Sequence, residues 1–145
     1  MAEAQPSGAA FERLVLFDGV CTFCDASVRW LMERDPAGRL QYAPLQGETA
    51  AALRSRHRQI PDDVDTLVYV ERHGDGERVH LRSAAIFRIC AQLQPPPAWL
   101  PWLSWLPAPL ADVAYRVFAR LRYRIFGKQD ECRLPSEAER SRFLA

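Results

Sequence analysis

The chain of 145 residues is long enough for one domain with a sizeable core, and 48% of its residues are hydrophobic. Nineteen basic against eighteen acidic side chains give a formal charge of +1, which excludes a broad electrostatic case for nucleic acid as a partner. MAEAQPSGAA lacks the pattern of a secretory signal, and no apolar run reaches the roughly 18–20 residues of a membrane span. We expect a flexible tail over residues 1–12, no membrane span and a reducing, cytoplasmic location.

Apolar periodicity and turn residues divide the rest of the chain into alternating strands and helices. Runs of strand formers such as RLVLF predict strands, and apolar residues at i, i+3 and i+4 spacing predict helices. The predicted elements are, in chain order, a strand at 13–17, a helix from Cys24 to about Asp35, a strand at 40–45, a helix at 48–58, strands at 66–70 and 78–82, and a helix at 83–93. ERHGDGE between the last two strands predicts a hairpin loop, and Ser83 a helix cap.

This order of elements predicts the fold class. Two parallel strands joined by a crossover helix precede an antiparallel pair, with helices covering the sheet. The arrangement is that of an α/β, thioredoxin-like domain with a central mixed four-stranded sheet. No linker or repeat interrupts the sequence, so residues 13–145 are expected to form one domain with a helical extension from about residue 98.

The extension begins with an unusual segment, QPPPAWLPWLSWLP, which carries five prolines and three tryptophans and is expected to be a loop. An amphipathic helix is then predicted from Pro109 to Phe126, with Gly127 as its stop and its arginines facing water. Trp99, Trp102 and Trp105 could add to the core, form a lid or peptide platform, or contact a membrane interface, and core is the favoured interpretation. Ser136 with Glu139 predicts a last short helix.

Cys21 and Cys24 form a C-x-x-C pair at the predicted junction of the first strand and first helix. The thiolate is the reactive form of cysteine, and the unpaired N–H groups and dipole of a helix start favour an anion there. We expect Cys21 to be the exposed, attacking sulfur and Cys24, one turn later, to resolve the mixed disulfide. Thr22 and Phe23, the intervening dipeptide, are expected to tune the reduction potential.

Other polar or thiol side chains admit both a chemical and a structural interpretation. Asp18 could accept a proton beneath the pair or simply form the turn with Gly19. Cys132 could act as a third thiol or metal ligand, or be a buried anchor for the tail. Cys90 falls on an apolar helix face and is expected in the core. A zinc site needs about four ligands, of which the C-x-x-C supplies two, so no metal is expected.

Three segments, LFDGVCTFCDASVRWL, RSAAIFRI and RYRIFGKQDECRLP, occur in that order and resemble the DCC-type thiol-disulfide oxidoreductase family, a bacterial domain, over roughly residues 13–144. The resemblance implies a thioredoxin-like fold and protein-disulfide reductase activity. The residues that it carries over are Asp18, Cys21 and Cys24 in the first motif, Arg82 and Ser83 in the second, and Cys132, Arg133 and Pro135 in the tail.

One position departs from the wider thioredoxin pattern. Thioredoxins have a cis-proline before the third strand that faces the cysteine pair and holds the substrate backbone. Alignment by the strand places Asp65 there, followed by Thr66, whereas Pro61 comes several residues too early. We therefore expect a weaker grip on peptides than in thioredoxin, with a carboxylate that repels anionic partners or helps to exclude metal.

The leading interpretation is a thiol-disulfide oxidoreductase that acts on a disulfide-containing protein or a small thiol, without a prosthetic group. It requires an external reductant to recycle the cysteine pair. One alternative is a non-catalytic module that binds a partner or membrane surface through the tryptophan segment and basic helix. Another is a metal-binding module that uses Cys21, Cys24 and Cys132. The substrate, the redox direction and the oligomeric state stay open.

Overall fold

The structure, a computed structural model, describes residues 11–62, 66–73, 76–93, 96–127 and 142–143. Strands and helices alternate through the first two thirds of the chain, and helices follow. The elements are β1 (Arg13–Phe17), α1 (Thr22–Glu33), β2 (Gln41–Pro44), α2 (Glu48–Arg56), β3 (Val68–His73), β4 (Gly76–Leu81), α3 (Arg82–Ala91), α4 (Leu100–Trp105) and α5 (Ala108–Phe126).

The strands form one mixed sheet in the order β2-β1-β3-β4. β1 pairs with β2 in parallel, with Val15 opposite Tyr42, and antiparallel with β3, with Val15 opposite Tyr69. β3 and β4 form the antiparallel hairpin. The parallel pair is joined through α1, as such a crossover requires. The predicted α/β, thioredoxin-like fold is therefore confirmed.

Side chains along β1 point alternately to the two faces of the sheet, and each face is covered by an apolar layer. Leu14 and Leu16 pack in a cluster with residues of α2. Val15 and Phe17 point the other way, into a cluster with residues of α1 and α3. Phe11, which falls in the predicted flexible tail, is buried in the α2 layer, so the folded part of the chain already includes residue 11.

Two local predictions differ from the structure around the hairpin and α3. Both hairpin strands extend into ERHGDGE, which leaves only residues 74–75, outside the described part of the chain, between them. α3 begins at Arg82 with Leu81 as its cap, so Ser83 is not the cap. The Ser83 hydroxyl instead donates to Asp112 Oδ1 of α5 at 2.6 Å. Ser83 therefore ties the helical extension to the domain.

The segment predicted as a loop contains a short helix, α4. Proline is tolerated in the first turn of a helix, where its missing N–H would have no intrahelical partner. Pro101 stands there, directly after Leu100, so the prolines limit the length of α4 without preventing it. None of the helices in the described part of the chain is long and apolar enough to cross a membrane.

α5 packs with its less apolar side inward, which reverses the predicted orientation. Ala111, Ala119 and Arg122 are buried. The expectation that the arginines of this helix face water is therefore wrong for Arg122, whose side chain is 4% exposed. The outer stripe, by which we mean the apolar side chains of α5 that face solvent, consists of Leu110, Val113, Val117, Leu121 and Ile125.

The end of α5 and the last described residues of the chain are held by different local features. α5 stops at Gly127, as predicted, with a φ of 88° that favours glycine. Near the end of the chain, Phe143 forms a parallel bridge with Tyr42 of β2 and is buried. The predicted helix after Ser136 lies outside the described residues.

Candidate active site at the start of α1

Cys21 is the N-cap of α1, with extended backbone angles. Its Sγ accepts a hydrogen bond from the backbone N–H of Cys24 at 3.4 Å. This contact places the sulfur against the free N–H groups of the first helical turn, where an anion is favoured. The predicted position of the cysteine pair at a strand-to-helix junction is confirmed.

The two sulfurs differ in exposure in the opposite sense to the prediction. Cys21 is 0% exposed, whereas Cys24 is half-buried. The expectation of an exposed Cys21 is therefore wrong. The reason is that a capping side chain turns back toward the helix it caps, and α5 packs against this same turn.

Asp18, directly after β1, is fully buried and accepts several hydrogen bonds. Its Oδ1 accepts from the backbone N–H of Val20 at 3.1 Å and from Gln46 Nε2 at 2.6 Å. Gln46 in turn accepts from the N–H of Gly19 at 3.0 Å. Asp18 thus forms the turn, as one interpretation of the sequence proposed. Its other oxygen, Oδ2, accepts hydrogen bonds from a second set of residues.

That second set of residues comes from α5. Arg122 Nη2 donates to Asp18 Oδ2 at 2.9 Å, and the Tyr123 hydroxyl donates to the same oxygen. Arg122 Nη1 also donates to Cys24 Sγ at 3.6 Å. A single guanidinium therefore joins the buried carboxylate to the second cysteine, and an α5 residue completes the site.

The environment of Cys24 favours the neutral thiol. Burial raises the pKa of Cys24 to about 12, and the hydrogen bond with Cys21 and the charge of Cys21 act in the same direction. Arg122 opposes these effects, while Asp18 adds to them. Burial lowers the pKa of Arg122, but charge interactions with the acidic groups around it, first Cys24 and then Asp18, leave this pKa raised overall. Arg122 therefore stays a cation beside the thiol.

The dipeptide between the cysteines contacts α5 through Phe23. Its ring packs edge-on against that of Phe118, with centroids 4.9 Å apart. A Cβ at Gly127 would lie 4.0 Å from Thr22 Oγ1, so the end of α5 also approaches the first residue of α1. Aromatic and polar contacts together hold α5 over the cysteine pair.

On the β3 side, α5 also occupies a backbone donor. The N–H of Leu67 donates to the Tyr115 hydroxyl at 2.6 Å, and Thr66 beside it is buried. This is the region in which thioredoxin-like proteins are expected to hold substrate backbone. Asp65 lies outside the described residues, so its predicted position opposite the cysteine pair stays a prediction.

The middle motif of the resemblance lies at the start of α3. Arg82 has a φ of 56°, in the left-handed region that non-glycine residues rarely adopt. Its backbone N–H donates to the carbonyl of Leu67 at 3.0 Å, which fixes this strained residue to the segment before β3. Arg82 and Ser83 therefore link the start of α3 to the segment before β3 and to α5.

Of the two remaining cysteines, Cys90 lies within the described residues and Cys132 does not. Cys90 is buried in the core cluster, as predicted, and burial raises its pKa to about 11. Cys132, Arg133 and Pro135 lie outside the described residues, so the predictions for the tail motif stay predictions. Across the described ranges, no group of three or more His, Cys, Asp or Glu side chains is placed to hold a metal ion.

The residues that sequence reasoning missed all come from α5 or the loop after β2. Arg122, Tyr123 and Tyr115 were included in a helix whose polar side was expected to face water, and Gln46 was not considered. The sequence of α5 does contain a signal. Its arginines and tyrosines fall on more than one side of the helix, so some of them had to face the domain if the helix packed on it.

The sheet order and the cysteine pair at the first turn of α1 define a thioredoxin-like α/β protein with a dithiol site. The chain belongs to the DCC1-like thiol-disulfide oxidoreductase family, whose sequence profile matches residues 15–128. The resemblance noted in the sequence is thereby confirmed, and a redox function follows from the family at that general level.

Two relatives extend this assignment. The chain is 36% identical over 132 residues to the uncharacterized protein YuxK of Bacillus subtilis (strain 168), covering 91% of this chain and 93% of that protein. It is 31% identical over 122 residues to the DCC family protein At1g52590, chloroplastic, of Arabidopsis thaliana, covering 83% and 69%. No solved structure matches the chain.

Proposed function

We propose that the protein is a protein-disulfide reductase in which Cys21 and Cys24 exchange two electrons with a disulfide substrate. The observation that carries the proposal is the placement of Cys21 at the N-cap of α1 with Cys24 one turn later, beside Arg122. Membership of a thiol-disulfide oxidoreductase family supports the same chemistry. No prosthetic group is part of the proposal.

In the first step the Cys21 thiolate attacks one sulfur of the substrate disulfide. A bond forms between Cys21 Sγ and that sulfur, the substrate S–S bond breaks, and the other substrate sulfur leaves as a thiolate. The helix start and the Cys24 N–H stabilise the attacking anion. Cys24 stays protonated during this step because of its raised pKa.

The second step follows from a change in the charges around Cys24. Once Cys21 is in the mixed disulfide, its negative charge and its hydrogen bond no longer raise the pKa of Cys24, while Arg122 still lowers it. Cys24 then loses its proton and attacks Cys21 Sγ. The substrate leaves as a second thiolate, and the Cys21–Cys24 disulfide holds the oxidising equivalents until an external dithiol reduces it.

Asp18 and α5 have supporting roles in this scheme. Asp18 accepts hydrogen bonds on both oxygens and holds Arg122 against Cys24 Sγ, so we assign it to positioning rather than to proton transfer. Cys21 is fully buried and α5 contacts its neighbours Phe23 and Cys24, so in this scheme a substrate reaches Cys21 only when α5 shifts from the first turn of α1. A reducing cytoplasm suits this direction of electron flow.

The test is the trapping of the mixed disulfide with dithiobis-nitrobenzoate, which releases a coloured thiolate at each exchange. In a Cys132→Ser background, the native pair releases two equivalents and ends as an internal disulfide. Cys24→Ser releases one equivalent and stays linked to the probe at Cys21. Cys21→Ser reacts at least about tenfold more slowly, since the remaining thiol is the poorer thiolate.

Cys90→Ser serves as the matched control, because a buried core thiol does not take part in exchange. It should react like the protein with only the Cys132→Ser change. Mass spectrometry of the trapped adduct identifies the linked cysteine. A probe adduct that accumulates on Cys24, or the absence of an internal disulfide in the native pair, would overturn the proposed roles.

A further inference from the structure

The extension presents an apolar surface that the thiol chemistry does not use. Among the described residues, every exposed large hydrophobic side chain lies between Trp99 and Ile125. Trp102 and Trp105 are 77% and 85% exposed, and Trp99 is 46% exposed. The favoured interpretation of these tryptophans as additional core is therefore wrong. We call these tryptophans and the outer stripe of α5, all exposed apolar side chains of the extension, the outer face.

The exposed charges of α5 all have one sign. Arg116, Arg120 and Arg124 are exposed and recur every fourth residue, so they line one flank of the helix beside the outer stripe. The only acidic residue of α5, Asp112, is partly buried and accepts a hydrogen bond from Ser83. The outer face is thus apolar, rich in tryptophan and bordered by cations.

We propose that the outer face docks in the plane of an anionic lipid surface. A helix with an apolar face and flanking arginines lies in the headgroup region with its axis parallel to the bilayer. Tryptophan rings favour that same depth, and arginine side chains extend to the anionic headgroups. The charged residues of α5 suit this contact and not a span.

Charge complementarity selects the lipid surface over a second copy of the chain. A two-fold contact places the same surface on both partners, so a second copy would bring the same arginines and offer no counter-charge. An anionic bilayer supplies counter-charges along the whole flank and an apolar layer beneath them. The inner side of α5 carries Arg122, so docking leaves the cysteine pair on the side of the helix that faces away from the lipid. The pair and the lipid surface are then separated by about one helix diameter, roughly 10–12 Å.

The test is flotation of the full chain with vesicles of phosphatidylcholine alone or mixed with phosphatidylglycerol, with tryptophan fluorescence as a second readout. We expect the protein to float with the mixed vesicles only, a blue shift in emission, and weaker binding at high salt. Trp102→Ala with Trp105→Ala, and separately Arg116→Glu with Arg120→Glu, should each weaken binding by roughly tenfold or more.

The matched control is Arg58→Glu with Arg78→Glu, which makes the same change of charge at exposed positions outside the extension. These variants should bind like the native chain, apart from the small effect of net charge. A Cys21→Ser, Cys24→Ser variant should also bind fully, which separates lipid docking from the proposed redox activity. All the substituted arginines and tryptophans are exposed, so we expect the variants to fold like the native chain. Circular dichroism checks this.

Three results would overturn the proposal. The first is the absence of flotation with anionic vesicles, or flotation that the outer-face variants and the control variants lose equally. The second is a doubled mass in light scattering that the tryptophan variants abolish, which assigns the face to a second copy. The third is tryptophan emission that, without lipid, is already blue-shifted and is not quenched by a soluble quencher. That result would show that another part of the same chain covers the outer face.

Discussion

α1 and α5 are both amphipathic, yet they use their two faces in opposite ways. α1 buries Val28 and Leu31 in the core and exposes Arg29 and Glu33. α5 exposes apolar side chains and buries Arg122 against Asp18. α1 holds the cysteine pair, and α5 covers it. The difference shows that an apolar stripe predicts a helix without revealing which of its faces the domain covers.

The physical reason lies in what each helix meets when it packs. α1 crosses between β1 and β2 and must cover the apolar face of the sheet. α5 arrives after both faces of the sheet already have helices, and it packs on the polar start of α1. Its inner side therefore supplies hydrogen bonds and a cation, and its apolar side stays exposed.

The largest effect is expected from breaking the buried ion pair. Arg122→Met leaves the Asp18 carboxylate buried without its counter-charge, which should lower the free energy of unfolding by about 3–5 kcal/mol. Urea denaturation under reducing conditions measures it. Adding Asp18→Asn to Arg122→Met should restore part of the loss, because no unpaired charge is then left.

Arg124→Met is the control for this pair, since Arg124 lies two residues further along α5 and is exposed. Its cost should stay within about 0.5 kcal/mol. Equal losses for Arg122→Met and Arg124→Met would contradict the assignment of opposite roles to the two sides of α5.

A matched leucine pair compares the apolar faces of the two helices. Leu31→Ala in α1 removes a buried side chain and should cost about 2–4 kcal/mol. Leu110→Ala in α5 changes a side chain that is 58% exposed and should cost no more than about 0.5 kcal/mol. Thermal and urea unfolding of both variants measure this difference, and a similar cost at the two positions would show that the outer stripe is covered.

A smaller effect is expected from alkaline pH. Burial raises the pKa of Cys90 from 9.0 to about 11, so the folded state holds this proton more tightly than the unfolded state. Stability is therefore complete below about pH 9 and falls as the pH rises toward 11. From about pH 8 to about pH 10, this thiol should account for a loss of about 1 kcal/mol.

Cys90→Ala removes the titrating thiol and should flatten this fall, although the smaller side chain lowers stability at every pH. Cys24, whose pKa is raised in the same direction, should contribute a second part of the slope. Unfolding in urea at a series of pH values, with reductant present, separates the two. An unchanged pH dependence in Cys90→Ala would argue against a buried thiol there.

The sequence predicts the strands, α1 and the cysteine pair because each depends on local signals. β1 is an apolar run ending in a turn, and the C-x-x-C lies where the period of the pattern changes. The partner of Asp18 could not be predicted in this way. Arg122 lies 104 residues away, and only the tertiary packing of α5 turns it toward the site.

The exposure of Cys21 and the helix at Leu100–Trp105 escaped prediction for related reasons. A cysteine before a helix can face water or cap the helix, and the packing of α5 against the capped turn, which buries it, is not a local signal. Several prolines predict a loop on average, but a proline is tolerated in the first turn of a helix. In both cases the outcome depends on position and neighbours that composition does not encode.

The most direct test of the account is the reduction potential of the Cys21–Cys24 pair, measured by equilibration in graded thiol and disulfide buffers with mass spectrometry of the quenched thiols. We expect one reversible two-electron transition, between about −270 and −120 mV, in which Cys21 becomes linked to Cys24. The absence of any Cys21–Cys24 disulfide under mild oxidation, or a bond from either cysteine to Cys132 instead, would contradict it.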